Sequence, residues 1–170
     1  MKNILIIGAN GFTGRRILND LSVNPIYHVT GCSLRDDICP GKDYRFVRTD
    51  IRDENEVRKL FKECRPDIVI NTSALSVPDY CETHHAEAEA TNVTAVETIA
   101  HVCEQYGSRF VHLSTDFVFD GKSTRLYKEE DEAIPVNYYG VTKLKAEKII
   151  ASICSNYAIV PVSYTHLRAH

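Results

Sequence analysis

The segment "NILIIGANGFTGRRIL", Asn3 to Leu18, decides the fold. Four consecutive apolar residues, Ile4 to Ile7, run into three glycines at three-residue spacing, Gly8, Gly11 and Gly14, and then into a helical pattern. A strand apolar at every position, rather than at alternate ones, has both faces covered, as in a parallel sheet between helices. Glycine directly after such a strand permits a tight turn. The second glycine lets backbone N–H groups reach a pyrophosphate, and the third lets the following helix pack closely. The helix N-terminus then presents its positive end to the phosphates. A dinucleotide is the ligand this context predicts, with Asn10, Phe12 and Thr13 completing the loop between the glycines.

The same grammar continues outward. Apolar, β-branched runs recur at Tyr27–Cys32, Arg45–Val47, Ile68–Ile70, Phe110–Leu113 and Ala158–Val160, with helix-like segments between most of them. Alternating strands and helices predict βαβ units and a doubly wound parallel α/β sheet, the Rossmann arrangement. Helical stripes fall at Ile17 and Leu21, at Val57, Leu60 and Phe61, and at Val93, Val96, Ile99, Ala100 and Cys103. Pro66 and Gly107 mark the ends of the second and third helices.

Composition narrows the class of partner. At 170 residues the chain fits one domain. Its net charge of −3 is dispersed, with no basic stripe for nucleic acid or an anionic membrane. The expected partner is a small molecule or another protein. Cys32, Cys39, Cys64, Cys81, Cys103 and Cys154 form no CxxC pair and read as reduced thiols in an intracellular protein. The apolar run after Met1 and Lys2 is too short for a signal peptide or a membrane span, so a cytoplasmic location is expected. His84, His85 and His101 lack ligand spacing, and no metal is expected.

The end of the second strand discriminates between cofactors. An acidic residue there bonds the ribose 2′-hydroxyl of NAD, whereas an arginine suits a 2′-phosphate. The chain reads "GCSLRDD", placing Ser33 and Arg35 at that end, so NADP(H) is favoured over NAD(H). Asp36 and Asp37 read as a solvated loop. Further along, "RFVHLSTDFVFDG" runs from a buried strand into Ser114, Thr115 and Asp116, and "NYYGVTKLKAEKII" sets Tyr139 and Lys143 four apart on one helical face. A phenol donates a proton to a carbonyl oxygen effectively only when its pKa is drawn down, which a neighbouring ammonium does. Thr115 would orient the carbonyl, and Lys143 could also bond the nicotinamide ribose. Ser114 and Asp116 are expected to satisfy backbone groups at the strand end.

The GxxGxxG spacing, with "RPDIVINTSA", "VPDYCE", "STDFVFDG" and "YGVTKLKAE", resembles the extended short-chain dehydrogenase/reductases, especially their dTDP-4-dehydrorhamnose reductase branch. The resemblance runs from Met1 to about Val160. It implies Thr115, Tyr139 and Lys143 as the catalytic trio, with Tyr139 and Lys143 also touching cofactor. It adds Asp50 and Ile51 to the cofactor-binding set, runs Asn71, Thr72, Ser73 and Ala74 beside the cofactor, and gives Asn92 the active-site backbone or the cofactor to hold. Thr72 and Ser73 depart from the alanines usual at those positions. The implied reaction is NADPH-dependent reduction of a nucleotide-linked 4-keto-6-deoxy sugar, with a homodimer as an open alternative for assembly. Two other readings stay open: a regulatory subunit like that of methionine adenosyltransferase, suggested by "HVTGCSLR" and "VFDG", and a sugar-nucleotide epimerase or dehydratase.

Beyond "YAIV" the chain departs from that pattern with "PVSYTHLRAH". Residues 161–170 are therefore expected to be a non-family, artefactual tail following a dinucleotide-binding domain at 1–160. The family's smaller C-terminal substrate region would then be missing. Pro161 lacks the N–H that a central strand needs. A sixth strand left at an edge predicts exposed apolar surface and weak stability or self-association.

Overall fold

The computed structural model describes residues 1–41, 43–125, 127–128 and 130–162. Most of the expected tail, residues 163–170, therefore lies outside the described residues. Six parallel strands form one sheet in the order β3-β2-β1-β4-β5-β6. They are β1 (Lys2–Ile7), β2 (Tyr27–Ser33), β3 (Arg45–Arg48), β4 (Ile68–Asn71), β5 (Arg109–Thr115) and β6 (Tyr157–Val162). The order reverses between β1 and β4, and ligands of such sheets bind in the crevice outside the strand C-termini at that point. Register makes those termini level: Ile7 pairs with Cys32 on one side and Asn71 on the other, and Asn71 pairs with His112.

Successive residues of β1 feed opposite layers, which is why its apolar run is unbroken. Ile4 and Ile6 pack with Ala9, Leu18 and Val29 against α1 (Phe12–Ser22). Leu5 and Ile7 join the larger core formed by α2 (Glu54–Cys64), α5 (Ala95–Tyr106) and α6 (Tyr138–Ile153), with Phe61, Ile99 and Ile150. On α1 the buried centre is Leu18, with the expected Ile17 and Leu21 packed against the cluster from its margin. The long third helix is more divided than its spacing indicates. Short helices α3 (Pro78–Thr83) and α4 (His85–Glu89) precede a π-helical turn at Ala90–Thr94, which leads into α5. Gly107 ends α5 in the left-handed region, as expected.

β6 lies at the end of the sheet order and pairs with β5, Pro161 opposite Ser114. A proline tolerated at an edge needs no second ladder, which removes the difficulty a central strand would pose. Tyr157 and Val160 are exposed there, and Val111 and Leu113 of β5 are only partly covered on the face away from α6.

The second helix stops at Cys64, two residues before Pro66. Arg65 caps it with φ 41°, the one positive-φ non-glycine among the described residues. A side chain in that region is strained, and glycine is not. Arg65→Gly is expected to raise stability by up to about 1 kcal/mol in a urea titration, with an unchanged denaturant slope.

Candidate active site

The three glycines lie at the sheet's switch point and play distinct parts. Gly8 turns at φ 82°, and a Cβ there would meet Ser73 N and Thr72 Oγ1, both at 2.8 Å. Gly14 is buried in the first turn of α1, where a Cβ would lie 2.3 Å from the Gly8 carbonyl oxygen. Gly11 caps that helix with no side-chain hydrogen bond and no acidic residue in the first turn, and its own Cβ position is 3.2 Å from the Gly8 oxygen. The positive end of α1 is thus offered to the cleft in front of it. Thr72 buttresses the turn, its Oγ1 donating to the Ile7 carbonyl at 2.8 Å. Its departure from alanine thereby has a physical reason.

That cleft has a volume near 680 Å³ and brings the glycine loop together with Ser33, Ser73, Tyr139 and Lys143. Tyr139 and Lys143 come from the first two turns of α6, whose start is fixed by Asn137: its side chain accepts from the Gly140 N–H. Gly140 is required because a Cβ would lie 2.3 Å from the Phe117 carbonyl. Tyr139 is 8% exposed and meets the Phe117 ring edge-on. Lys143 is buried, its Nζ donating to the Leu113 carbonyl at 2.7 Å and lying 2.8 Å from His112 Nε2. Burial lowers its pKa to about 8, and the nearby Glu147 carboxylate pulls it the other way. Glu147 is itself raised by burial, although the hydrogen bond from Ser114 and the charge of Lys143 oppose this.

Thr115 caps the turn that follows β5. Its hydroxyl donates to Asp116 Oδ1 at 3.2 Å and accepts from Phe117 N at 3.2 Å, forming the cap of a 3-10 turn at Asp116–Val118. Among the described residues lining the cleft, Ser114 rather than Thr115 represents the end of β5. Ser114 does more than satisfy backbone, since it donates to Glu147.

A second cavity of about 280 Å³ adjoins the first and shares Gly8, Ser33, Ser73 and Ala74 with it. Asp50 and Ile51 line it, with the Asp50 carboxylate ion-paired to Arg52 at 2.7 Å. Asn92, on the π-helical turn, ties down the Leu75 backbone. It is buried, accepts from Leu75 N at 2.8 Å, and donates to Leu75 O and Thr142 Oγ1, so its polar atoms are committed to protein.

The loop after β2 departs most from its sequence reading. Asp37 is not solvated: it accepts from Arg15 at 2.5 Å, Tyr44 at 2.8 Å and Cys39 N at 3.1 Å. Burial would raise its pKa, but those hydrogen bonds win and hold it below the usual carboxylate value. Asn10 turns away from the cleft to donate to the Arg35 and Asp36 carbonyls, pinning the same loop. Arg35 itself is exposed, with no ion pair among the described residues. Sequence reading missed His112 and Arg15. The signal for His112 was a histidine inside a buried strand. For Arg15 it was an arginine one turn into α1, four residues beyond Gly11, with Asp37 following β2.

Among the described residues, no three His, Cys, Asp or Glu side chains are grouped to hold a metal ion, and no helix is long and apolar enough to cross a membrane. All six cysteines are free.

Comparison with known proteins agrees with this architecture. The family described as RmlD substrate binding domain matches residues 1–168. Methionine adenosyltransferase 2 subunit beta of Bos taurus is 31% identical over 165 residues, covering 96% of this chain and 47% of that protein. The dTDP-4-dehydrorhamnose reductase of Escherichia coli K12 is 30% identical over 165 residues, covering 96% and 52%. The crystal structure of dTDP-4-dehydrorhamnose reductase from Bacillus anthracis in complex with NADP superposes with a TM-score of 0.80 at 26% identity, covering 96% of this chain and 53% of that one. The chain spans about half the length of the curated relatives it matches. With its parallel Rossmann sheet and glycine-lined switch point, the chain belongs to the RmlD substrate binding domain family.

Proposed function

We propose that this chain is the dinucleotide-binding part of an NADPH-dependent reductase of a nucleotide-linked 4-keto-6-deoxy sugar. One observation carries the reading: Tyr139 and Lys143 open into the same cleft as the uncapped helix behind Gly8, Gly11 and Gly14. That cradle suits a dinucleotide, because side chains at Gly8 and Gly14 would strike backbone and N–H groups face the space in front. When bound there, NADPH supplies the hydride.

The protein's part is positioning and proton supply. Tyr139 holds the proton for the carbonyl oxygen of the substrate, and the Lys143 cation favours the phenolate left behind. Thr115 retains its proposed role of orienting that carbonyl, and Ser114 offers a neighbouring hydroxyl at the cleft wall. Asp50 and Ile51 line the adjoining space for the far half of the cofactor. A homodimer and a cytoplasmic location belong to the same reading. So does the division into a domain at 1–160 followed by a foreign tail.

The preference for NADP(H) rests on Ser33 and Arg35, with Arg35 exposed at the rim and Asp37 neutralised by Arg15. A charge-assisted contact to the 2′-phosphate is worth about 1.5 to 3 kcal/mol. Arg35→Ala is therefore expected to weaken NADPH binding by about tenfold or more and to leave NADH binding within about twofold. Calorimetric titration of the chain with both cofactors tests this, and equal losses for the two would remove Arg35 from the discrimination. Oxidation of NADPH by a dTDP-4-keto sugar, in the longest native reading frame carrying these residues, tests the reductase reading.

The relative from Bos taurus keeps a regulatory subunit as the second reading. Activation of a methionine adenosyltransferase catalytic chain, with no sugar-nucleotide reduction, would favour it.

A further inference from the structure

Behind the cleft a buried polar chain crosses two strands to reach Lys143, and the tyrosine–lysine pair does not account for it. Asn71 on β4 and His112 on β5 are register partners, and both are fully buried. Asn71 Oδ1 accepts from Ser73 N at 3.0 Å and from Ser73 Oγ at 2.6 Å. Asn71 Nδ2 lies 3.2 Å from His112 Nδ1, and His112 Nε2 lies 2.8 Å from Lys143 Nζ.

Hydrogen-bond polarity propagates along this chain. The Ser73 N–H, two residues beyond Asn71, forms an Asx turn and fixes the carboxamide oxygen on its own side. The amide NH2 therefore faces His112, and an amide nitrogen only donates. Nδ1 must accept, which leaves the single proton of a neutral imidazole on Nε2. That N–H points at Lys143. An ammonium there sets two donors head to head, whereas a neutral amine accepts through its lone pair.

We propose that Asn71 and His112 are positioning residues for Lys143: together they present an imidazole N–H to its amine and keep it poised between the protonated and neutral forms. The relevance to proton supply through Tyr139 rests on the reductase reading; the polarity of the chain does not. Burial, followed by the charge of Lys143, holds His112 well below its ordinary pKa and thus neutral. Lys143 is lowered in the same sense. The titratable groups bearing on Lys143 are His112 from β5, with Tyr139 and Glu147 from its own helix. Asn71 from β4 and Val162 from β6 bring no charge.

The labelled 170-residue chain tests this without cofactor or turnover. Two-bond 1H–15N correlation spectra report which ring nitrogen carries the proton, and the 13Cε shift of Lys143 reports its titration. A neutral His112 with its proton on Nε2 from about pH 5 to 9 is expected, with a Lys143 midpoint near 8. Asn71→Asp reverses the polarity, since a carboxylate only accepts. In that variant the His112 proton is expected on Nδ1, and the Lys143 midpoint about one pH unit or more higher. An Nδ1–H or cationic His112 in the unaltered chain overturns the proposal, as does a folded Asn71→Asp variant with neither change. Should that variant not fold, the tautomer in the unaltered chain decides alone. An Nε2–H tautomer in a chain that binds no dinucleotide would retire the reductase reading and leave this inference standing.

Discussion

Tyr139→Phe is expected to lower NADPH oxidation with a dTDP-4-keto sugar by about a thousandfold, because in the proposed reaction it removes the acid that protonates the forming alkoxide. The change deletes one oxygen and keeps the ring. That ring packs with Cys81 and Ala88 and meets Phe117 edge-on at 6.2 Å, so the start of α6 has the same apolar anchor in the variant. NADPH affinity should stay within about threefold, since the proposed binding mode rests mainly on the glycine loop and α1. Steady-state oxidation rates and a binding titration separate the two effects. Undiminished turnover would take proton donation away from Tyr139. A parallel loss of cofactor binding would instead assign it to holding the nucleotide.

Gly14→Ala carries the largest expected effect on stability, about 3 to 5 kcal/mol, a substantial share of the total for a domain of this size. The added methyl would sit 2.3 Å from the Gly8 oxygen and 2.6 Å from Thr72 Oγ1, and the first of these is backbone in the turn that closes β1. Relief requires α1 to withdraw from the sheet, uncovering Leu18 and its partners in the smaller core. Gly11→Ala provides the contrast. Its methyl approaches the same oxygen at only 3.2 Å and projects from an exposed position. It should cost less than about 1 kcal/mol yet weaken dinucleotide binding by about tenfold or more. Chemical denaturation and calorimetry of the two variants test this; equal destabilisation would contradict the separate parts assigned to these glycines.

The fold was legible chiefly from its central strands β1 and β2, whose inner residues are buried on both faces. Apolar and β-branched runs announced all six strands, and the glycines announced the switch point. What the runs could not convey were strand ends such as Lys2, Arg48 and Arg109, which are exposed and carry no apolar signal. The π-helical turn was hidden for another reason. It coincides with Asn92, whose bonds to Leu75 and Thr142 link segments far apart in the chain. Tyr139 and Lys143 were legible from i, i+4 spacing. His112 was not, because a histidine within "RFVHLST" meets Asn71 and Lys143 only after β4 pairs with β5 and α6 folds across it. The same holds for Asp37: as half of "RDD" it looks hydrated, and only the return of α1 beneath the loop reveals Arg15 as its counter-ion.

The strand order also governs the sequence of events during synthesis. β1 leaves the ribosome first but occupies the middle of the sheet, and its β4 flank must wait until residues 68–71 have emerged. Until then one row of its amide and carbonyl groups has no ladder, a condition in which nascent chains pair wrongly or recruit chaperones. The cleft at the switch point closes later still, since its lining begins at Gly8 and ends at Val162 of β6. Completing the cleft thus waits for the last strand to pair, because residues from the turn after β1 to β6 contribute to its wall.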